Sequence, residues 1–245
     1  MDPLSLVGQR SFAAYGPSHW AVLVLVTAGA GVLVWSGTRY RGTRTAWVTG
    51  RVFAVVLVAV HVPILIYDLF PARFDIEYSL PLHISDITWI AASCALWFRW
   101  QWAFALTYYW AFTLIPQAMI TPGSGGADFP SYDFISFWVR YLLVVWAAVY
   151  LVSWLGMRPN WAGFGFAAAV TVGWGVVVFS FNEMAGTNYM FLNRKPDNPS
   201  LLDLMGDWPW YLAVALAIGL AAWALMTWPF ARHREPDSAR TAARR

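Results

Sequence analysis

Seven stretches of the chain run almost without charge: His19–Ser36, Val52–Tyr67, Ile87–Phe98, Gln101–Thr121, Phe134–Met157, Trp161–Asn182 and Trp208–Ala231. Six approach the length a bilayer demands of a helix, about 20 apolar residues. The third is short. It spans only if the turns around His83 and Asp86 enter the membrane; otherwise the third and fourth segments form a re-entrant hairpin tipped by Arg99. Either way the chain returns to the same side. The pattern predicts an all-α fold, a polytopic transmembrane bundle of about seven helices. Residues 1–232 are expected as one transmembrane domain and residues 233–245 as a basic, disordered cytoplasmic tail. The first apolar segment is read as a retained helix, because no basic stretch, short apolar core and small-residue cleavage site precede it.

Composition supports that reading. Of the 245 residues 59% are hydrophobic and only 12% charged, half of the roughly one-quarter typical of soluble domains. The net charge of +3 raises nucleic acid as a partner, but its distribution points instead to membrane orientation. Arg39, Arg41, Arg44, Arg51, Arg99, Arg158, Arg232, Arg234, Arg240, Arg244 and Arg245 fall on one side of the predicted spans. Arg10, Arg73, Arg194 and Lys195 fall on the other, and Arg140 lies within a helix. By the positive-inside rule the N-terminus is outside and the C-terminus cytoplasmic, in a multi-pass plasma-membrane protein. Many of the tryptophans stand at segment ends, where indole favours the headgroup layer.

The polar residues divide unequally. Inner loops hold arginine and glycine. The outer side holds Asp68, Asp75, Glu77, His83, Asp86, Gln117, Asp128, Asp133, Asn182, Glu183, Asn188, Asn193, Asp197, Asp203 and Asp207. It has three loops, Phe70–Leu82, Pro122–Asp133 and Glu183–Asp207. Long loops in a compact protein are often functional, so a polar pocket opening outward is expected.

Arg140 lies roughly two turns below the outer start of its segment, where an unpaired guanidinium costs about 3 kcal/mol or more. It therefore needs a partner: Asp86 or Glu183 at similar depth, Asp68 as a third, or else a lipid phosphate or carboxylate ligand held by the guanidinium fork. A structural ion pair and a ligand role stand as equal alternatives. His83 and Asp86, spaced i, i+3, share a face on a helix. They offer either an oriented imidazole for acid–base catalysis or only a helix start whose dipole favours the carboxylate. His61 precedes Pro63, whose missing N–H frees a carbonyl that the imidazole or water can satisfy; a structural role is favoured over haem ligation with His83. Tyr108, Tyr109, Trp110 and Tyr141 are candidate pocket aromatics, with packing as the alternative.

Several classes are excluded. The only lysine, Lys195, is in an outer loop, so no Schiff-base retinal protein fits. There is no Gly-x-Ser-Gly nucleophile and no phosphate-binding glycine loop; Gly123-Ser-Gly-Gly126 is a flexible linker. The single cysteine, Cys94, permits neither an intramolecular disulfide nor a cysteine metal site. No metal and no cofactor are expected.

Leu80-Pro-Leu-His-Ile-Ser-Asp86, Ala118-Met-Ile-Thr-Pro122, Gly186-Thr-Asn-Tyr-Met-Phe-Leu-Asn193, Lys195-Pro-Asp-Asn-Pro-Ser-Leu-Leu-Asp203 and Trp208-Pro-Trp-Tyr211 resemble the YwaF-like bacterial integral membrane proteins over roughly residues 50–230. That family is similar to the eukaryotic transmembrane protein 164 group, which is associated with acyl transfer to lysophospholipids. The resemblance implies a lipid-facing catalytic site with His83 as the matching histidine. Relatives carry a cysteine near this histidine and a Ser-His pair in the fifth helix. Here Leu82 and Ser85 flank His83, and Arg140-Tyr141 occupies the fifth helix, so Ser85 or Thr88 would be the nucleophile, a weaker one than a thiolate.

The functional expectation is a lipid-modifying, acyltransferase-like or lipid-binding protein with membrane lipids as partners. His83 and Asp86 are its candidate catalytic residues. Arg140, Tyr141, Gln117, Glu183, Asn188, Tyr189, Asn193 and Lys195 are its candidate ligand-binding residues. Alternatives are a proton-coupled transporter, using His61, Asp68, His83, Asp86 and Arg140 as a relay, and a non-enzymatic assembly factor.

Overall fold

The computed structural model describes residues 11–122, 126–196 and 200–232. Most of the glycine linker at 123–126, Asp197 and the tail beyond residue 232 lie outside the described residues. Seven helices follow in order: α1 Pro17–Tyr40, α2 Arg44–Asp68, α3 Ile84–Phe98, α4 Gln101–Ile120, α5 Tyr132–Ser153, α6 Trp161–Ala185 and α7 Trp210–Arg232. Local sequence explains most boundaries. Pro17 occupies the first turn of α1, where no N–H is needed. Thr43, Ser131 and Asn160 cap α2, α5 and α6 by accepting from backbone N–H groups. Gly186 ends α6 in the left-handed region.

Two limits differ from the apolar pattern. α2 begins at Arg44, a full two turns before the charge-free run, because Thr43 supplies a cap and the arginines project from the helix end. α5 ends at Ser153 rather than Met157, because Gly156 turns the chain at φ +67°.

Five helices, α1, α2, α5, α6 and α7, are long and apolar enough to cross a membrane. α4 is not among them because it is the core. Every residue from Ala103 to Ala111 is buried, ringed by α3, α5, α6 and α7, so its Tyr, Trp and Thr side chains meet protein. Tyr109 stacks on Trp223 at 4.9 Å and bonds Thr227 at 2.6 Å; Trp110 donates to Thr171 at 2.9 Å. These two aromatics, expected as pocket candidates, are packing residues. The outer helices carry the reverse pattern, with Val24, Ile66, Val176 and Leu225 all exposed, as a lipid-facing surface requires.

α1 is held to α5 by close approach and indole bonds. A Cβ on Gly29 would stand 2.1 Å from the Trp146 ring, and that indole donates to the Val26 carbonyl at 3.0 Å. Trp154 does likewise to Leu33 at 3.0 Å. In the arginine-rich end Arg99 lies over Trp47 and Arg51 over Trp97. At the opposite end lie all the described carboxylates.

The short third helix starts inside the bundle. The Leu82 carbonyl, just before α3, accepts from Trp174 at 2.9 Å. Trp174 is eleven residues before the end of α6, so α3 begins ~16 Å below that end at 1.5 Å per residue. The chain from Ser79 to His83 descends into the bundle, and the turns around His83 and Asp86 lie at depth.

Candidate functional site

Three helices and one descending segment enclose a cavity of about 130 Å³ at the acidic end. His61, Leu65 and Asp68 line it from α2, Ser85, Asp86 and Trp89 from α3, and Arg140 and Tyr141 from α5. Residues Tyr78 to Pro81, with His83, close it from the side of the descending segment. The volume equals about four waters at ~30 Å³ each and falls below the ~300 Å³ at which drug-sized pockets begin. It suits a polar group the size of an ester or phosphate. A haem is far too large.

Arg140 is paired with Asp68, the third of the expected carboxylates, and not with Asp86 or Glu183. Its Nε donates to the Ser136 carbonyl, one turn nearer the acidic end, at 3.1 Å. Its Nη1 meets Asp68, the last residue of α2, at 3.3 Å. The side chain thus snorkels outward from its backbone position. Glu183 does not take part: it accepts from Asn193 at the top of α6, since α6 does not adjoin α5 there.

Asp86 serves the helix start. Its Oδ2 accepts from the His83 backbone N–H at 3.1 Å, leaving the carboxylate at the N-terminal turn of α3 where the helix dipole favours it. No hydrogen bond joins it to the His83 imidazole. That ring instead sits edge-on to Tyr189, with centroids 5.4 Å apart, and 6.0 Å from Phe191. Met190 and Phe191 adopt positive φ of 58° and 54°, a sharp turn that aims both rings at His83. Ser85 lies within hydrogen-bonding reach of the Tyr141 phenol. Thr88 returns its hydroxyl to the Ile84 carbonyl at 2.6 Å and is buried away from the cavity.

His61 borders the cavity, stacked on Trp89 at 5.2 Å. Its Nδ1 bonds the Leu57 carbonyl at 2.8 Å, not the Ala59 carbonyl that Pro63 leaves without a donor. Helical side chains lean toward the N-terminus, so the ring reaches the carbonyl four residues back.

The 186–196 segment forms the roof support. Tyr189 is buried; its hydroxyl donates to the Ile76 carbonyl at 2.8 Å and accepts from Leu80 N–H at 3.0 Å. Burial pushes that phenol above its ordinary pKa, so it stays protonated and keeps donating. Asn182 organises the turn below, donating to the Tyr189 carbonyl and Asn193 and accepting from Thr187 and Tyr189 N–H. Asn188 and Asn193 are spent inside this scaffold. Lys195 lies over the Tyr211 ring, 5.8 Å away, and the Gln117 side chain is exposed on α4. Of the candidates, His83, Asp86, Arg140 and Tyr141 are brought together, and Tyr189 abuts them. Gln117, Glu183, Asn188, Asn193 and Lys195 do not line the cavity. Tyr108 lines a different cavity at the opposite end. Ser79 and Trp89, unremarked in the sequence, join through the descent of one loop.

The helical bundle and this acidic-end site occupy a region matched almost end to end by a known family model, that of the TMEM164 family, over residues 14–227. The chain belongs to the TMEM164 family. No curated protein and no solved structure matches the chain. As a TMEM164-family membrane protein, it places a partly buried cation, an imidazole and an α-helix N-terminus around one small chamber. Such a chamber can polarise a carbonyl or hold an anionic oxygen, and the imidazole can exchange a proton beside it.

Proposed function

We propose that this protein acts on membrane lipids, receiving the ester or phosphate region of a lipid from the acidic side and carrying out acyltransferase-like chemistry. The observation that carries this reading is that His83, at the start of a helix beginning inside the bundle, lines the same small cavity as Arg140. Acyl transfer needs a proton acceptor and a positive environment where carbonyl oxygen gains charge. In the direct form, the His83 imidazole takes the proton of a lysolipid hydroxyl as its oxygen attacks the donor ester. The donor's C–O bond breaks, and the proton passes to the departing oxygen. Arg140 and the N–H groups opening α3 face the developing negative charge. Ser85 is the alternative nucleophile for a two-step route. We place the acidic side outward by the arginine count, in the plasma membrane, and group the chain with the YwaF-like bacterial branch.

The test is transfer of a labelled acyl chain from phosphatidylcholine to a lysophospholipid by purified protein in vesicles. We expect transfer by the wild type, loss in His83→Ala and Arg140→Ala, and retention in Ser85→Ala if the direct form holds. No transfer by the wild type across a range of lysophospholipids removes the enzymatic reading and leaves lipid binding. A transport role is less favoured, because Ala91, Ala92, Ala95 and Leu96 below the cavity are closely packed.

A further inference from the structure

A second cavity lies at the arginine-rich end, away from the site above, with a volume of about 610 Å³, within the range of small-molecule sites. Tyr108 and Phe112 of α4 and Val149 and Val152 of α5 form its floor, and Val34 of α1 and Phe230 of α7 its walls. The cleft exists because α1 leans on α5 while α7 leans on α4 and α6, leaving the two outer helices apart over a shared floor.

Two guanidiniums stand at its mouth, Arg41 and Arg158. Arg41 is seated by a special backbone. Gly156 turns the chain at φ +67°, a conformation that favours glycine, and a Cβ there would fall 2.7 Å from the Arg41 Nε, so the guanidinium lies against it. Its hydrogen bond to the Gly156 carbonyl is long, 3.5 Å. Arg158 lies 5.5 Å from the Phe230 ring centre. Among the described residues neither has a carboxylate partner; both described ion pairs are at the other end of the bundle. An apolar slot capped by two such cations is complementary to an anion carrying an apolar tail. The chain's own C-terminal sequence, His233-Arg-Glu-Pro-Asp-Ser-Ala-Arg-Thr-Ala-Ala-Arg-Arg245, is polar and net basic, the wrong chemistry for both parts.

We propose that this cleft holds one anionic phospholipid of the arginine-side leaflet, with its phosphate between Arg41 and Arg158 and an acyl chain along Tyr108, Phe112, Val149 and Val152. It stands independently of the function proposed for the outer cavity. A basic residue near an anionic membrane surface contributes about a fivefold preference, so the pair together gives roughly 30-fold.

The full-length protein is reconstituted in phosphatidylcholine nanodiscs containing a minor fraction of phosphatidylglycerol, then released for native mass spectrometry. The wild type is expected to retain phosphatidylglycerol in preference to phosphatidylcholine. Combined Arg41→Gln and Arg158→Gln should reduce that preference roughly 30-fold, while Arg39→Gln with Arg44→Gln, an equal charge loss on the same rim outside the cleft, should change it little. Val152→Trp, which fills the slot, should lower retention of either lipid. Equal retention of the two lipids by the wild type overturns the proposal without recourse to any variant. So does an unchanged preference in the Arg41/Arg158 pair, or an equal drop in the Arg39/Arg44 pair.

Discussion

The Arg140–Asp68 pair tests whether the outer cavity is built as the geometry implies. The two side chains are 34% and 27% exposed, between the fully buried case, where losing one partner costs about 3–5 kcal/mol, and the exposed case, worth about 0.2–1 kcal/mol. Discounting for that exposure gives about 2 kcal/mol for either single change, Arg140→Met or Asp68→Leu. For a chain of this size 1 kcal/mol moves Tm by roughly 2–4 °C, so each variant should melt ~4–8 °C lower, read by tryptophan fluorescence in detergent. The penalty is mostly that of stranding the remaining charge. Arg140 loses less than a wholly unpaired group because the Ser136 carbonyl stays at 3.1 Å. Removing both charges should therefore restore more than half of the loss. If the two Tm decreases simply add in the double variant, the residues are uncoupled, and the ion pair does not close the cavity.

Three further outcomes are expected. Tyr189→Phe removes the bonds to Ile76 and Leu80, at about 1–3 kcal/mol, and should speed amide exchange across residues 76–83; unchanged exchange would mean the roof is held elsewhere. Gly29→Val sets atoms against the Trp146 ring, where even a Cβ would stand 2.1 Å away, and should lower Tm by several degrees; a variant as stable as the wild type would show that α1 does not sit on α5 this way. In a Cys94→Ala background, a cysteine at Tyr78 should label from outside intact cells and one at Arg39 only after permeabilisation; the reverse pattern inverts the orientation.

The seven helices were legible because each leaves an apolar run in the sequence; five are long and apolar enough to cross a membrane, where a helix must satisfy its backbone internally and face hydrocarbon outwardly. Arginine asymmetry separated the two ends for the same reason: charge at a helix end stays near water. Even the need for a partner at Arg140 followed from the cost of an unpaired guanidinium. Which partner answered it did not. Asp68 is 72 positions away in sequence, and its choice over Glu183 depends on α2, not α6, adjoining α5 at that level. Likewise the descent of Ser79–His83 has no mark of its own in the residues. It arises because Trp174 and Tyr189, from a distant part of the chain, supply hydrogen bonds to backbone that would otherwise lack them inside the bundle. Local pattern determines where helices form and which side their charges prefer. Shared depth and contact between helices are decided by packing, since it depends on pairs of residues that the linear order keeps apart.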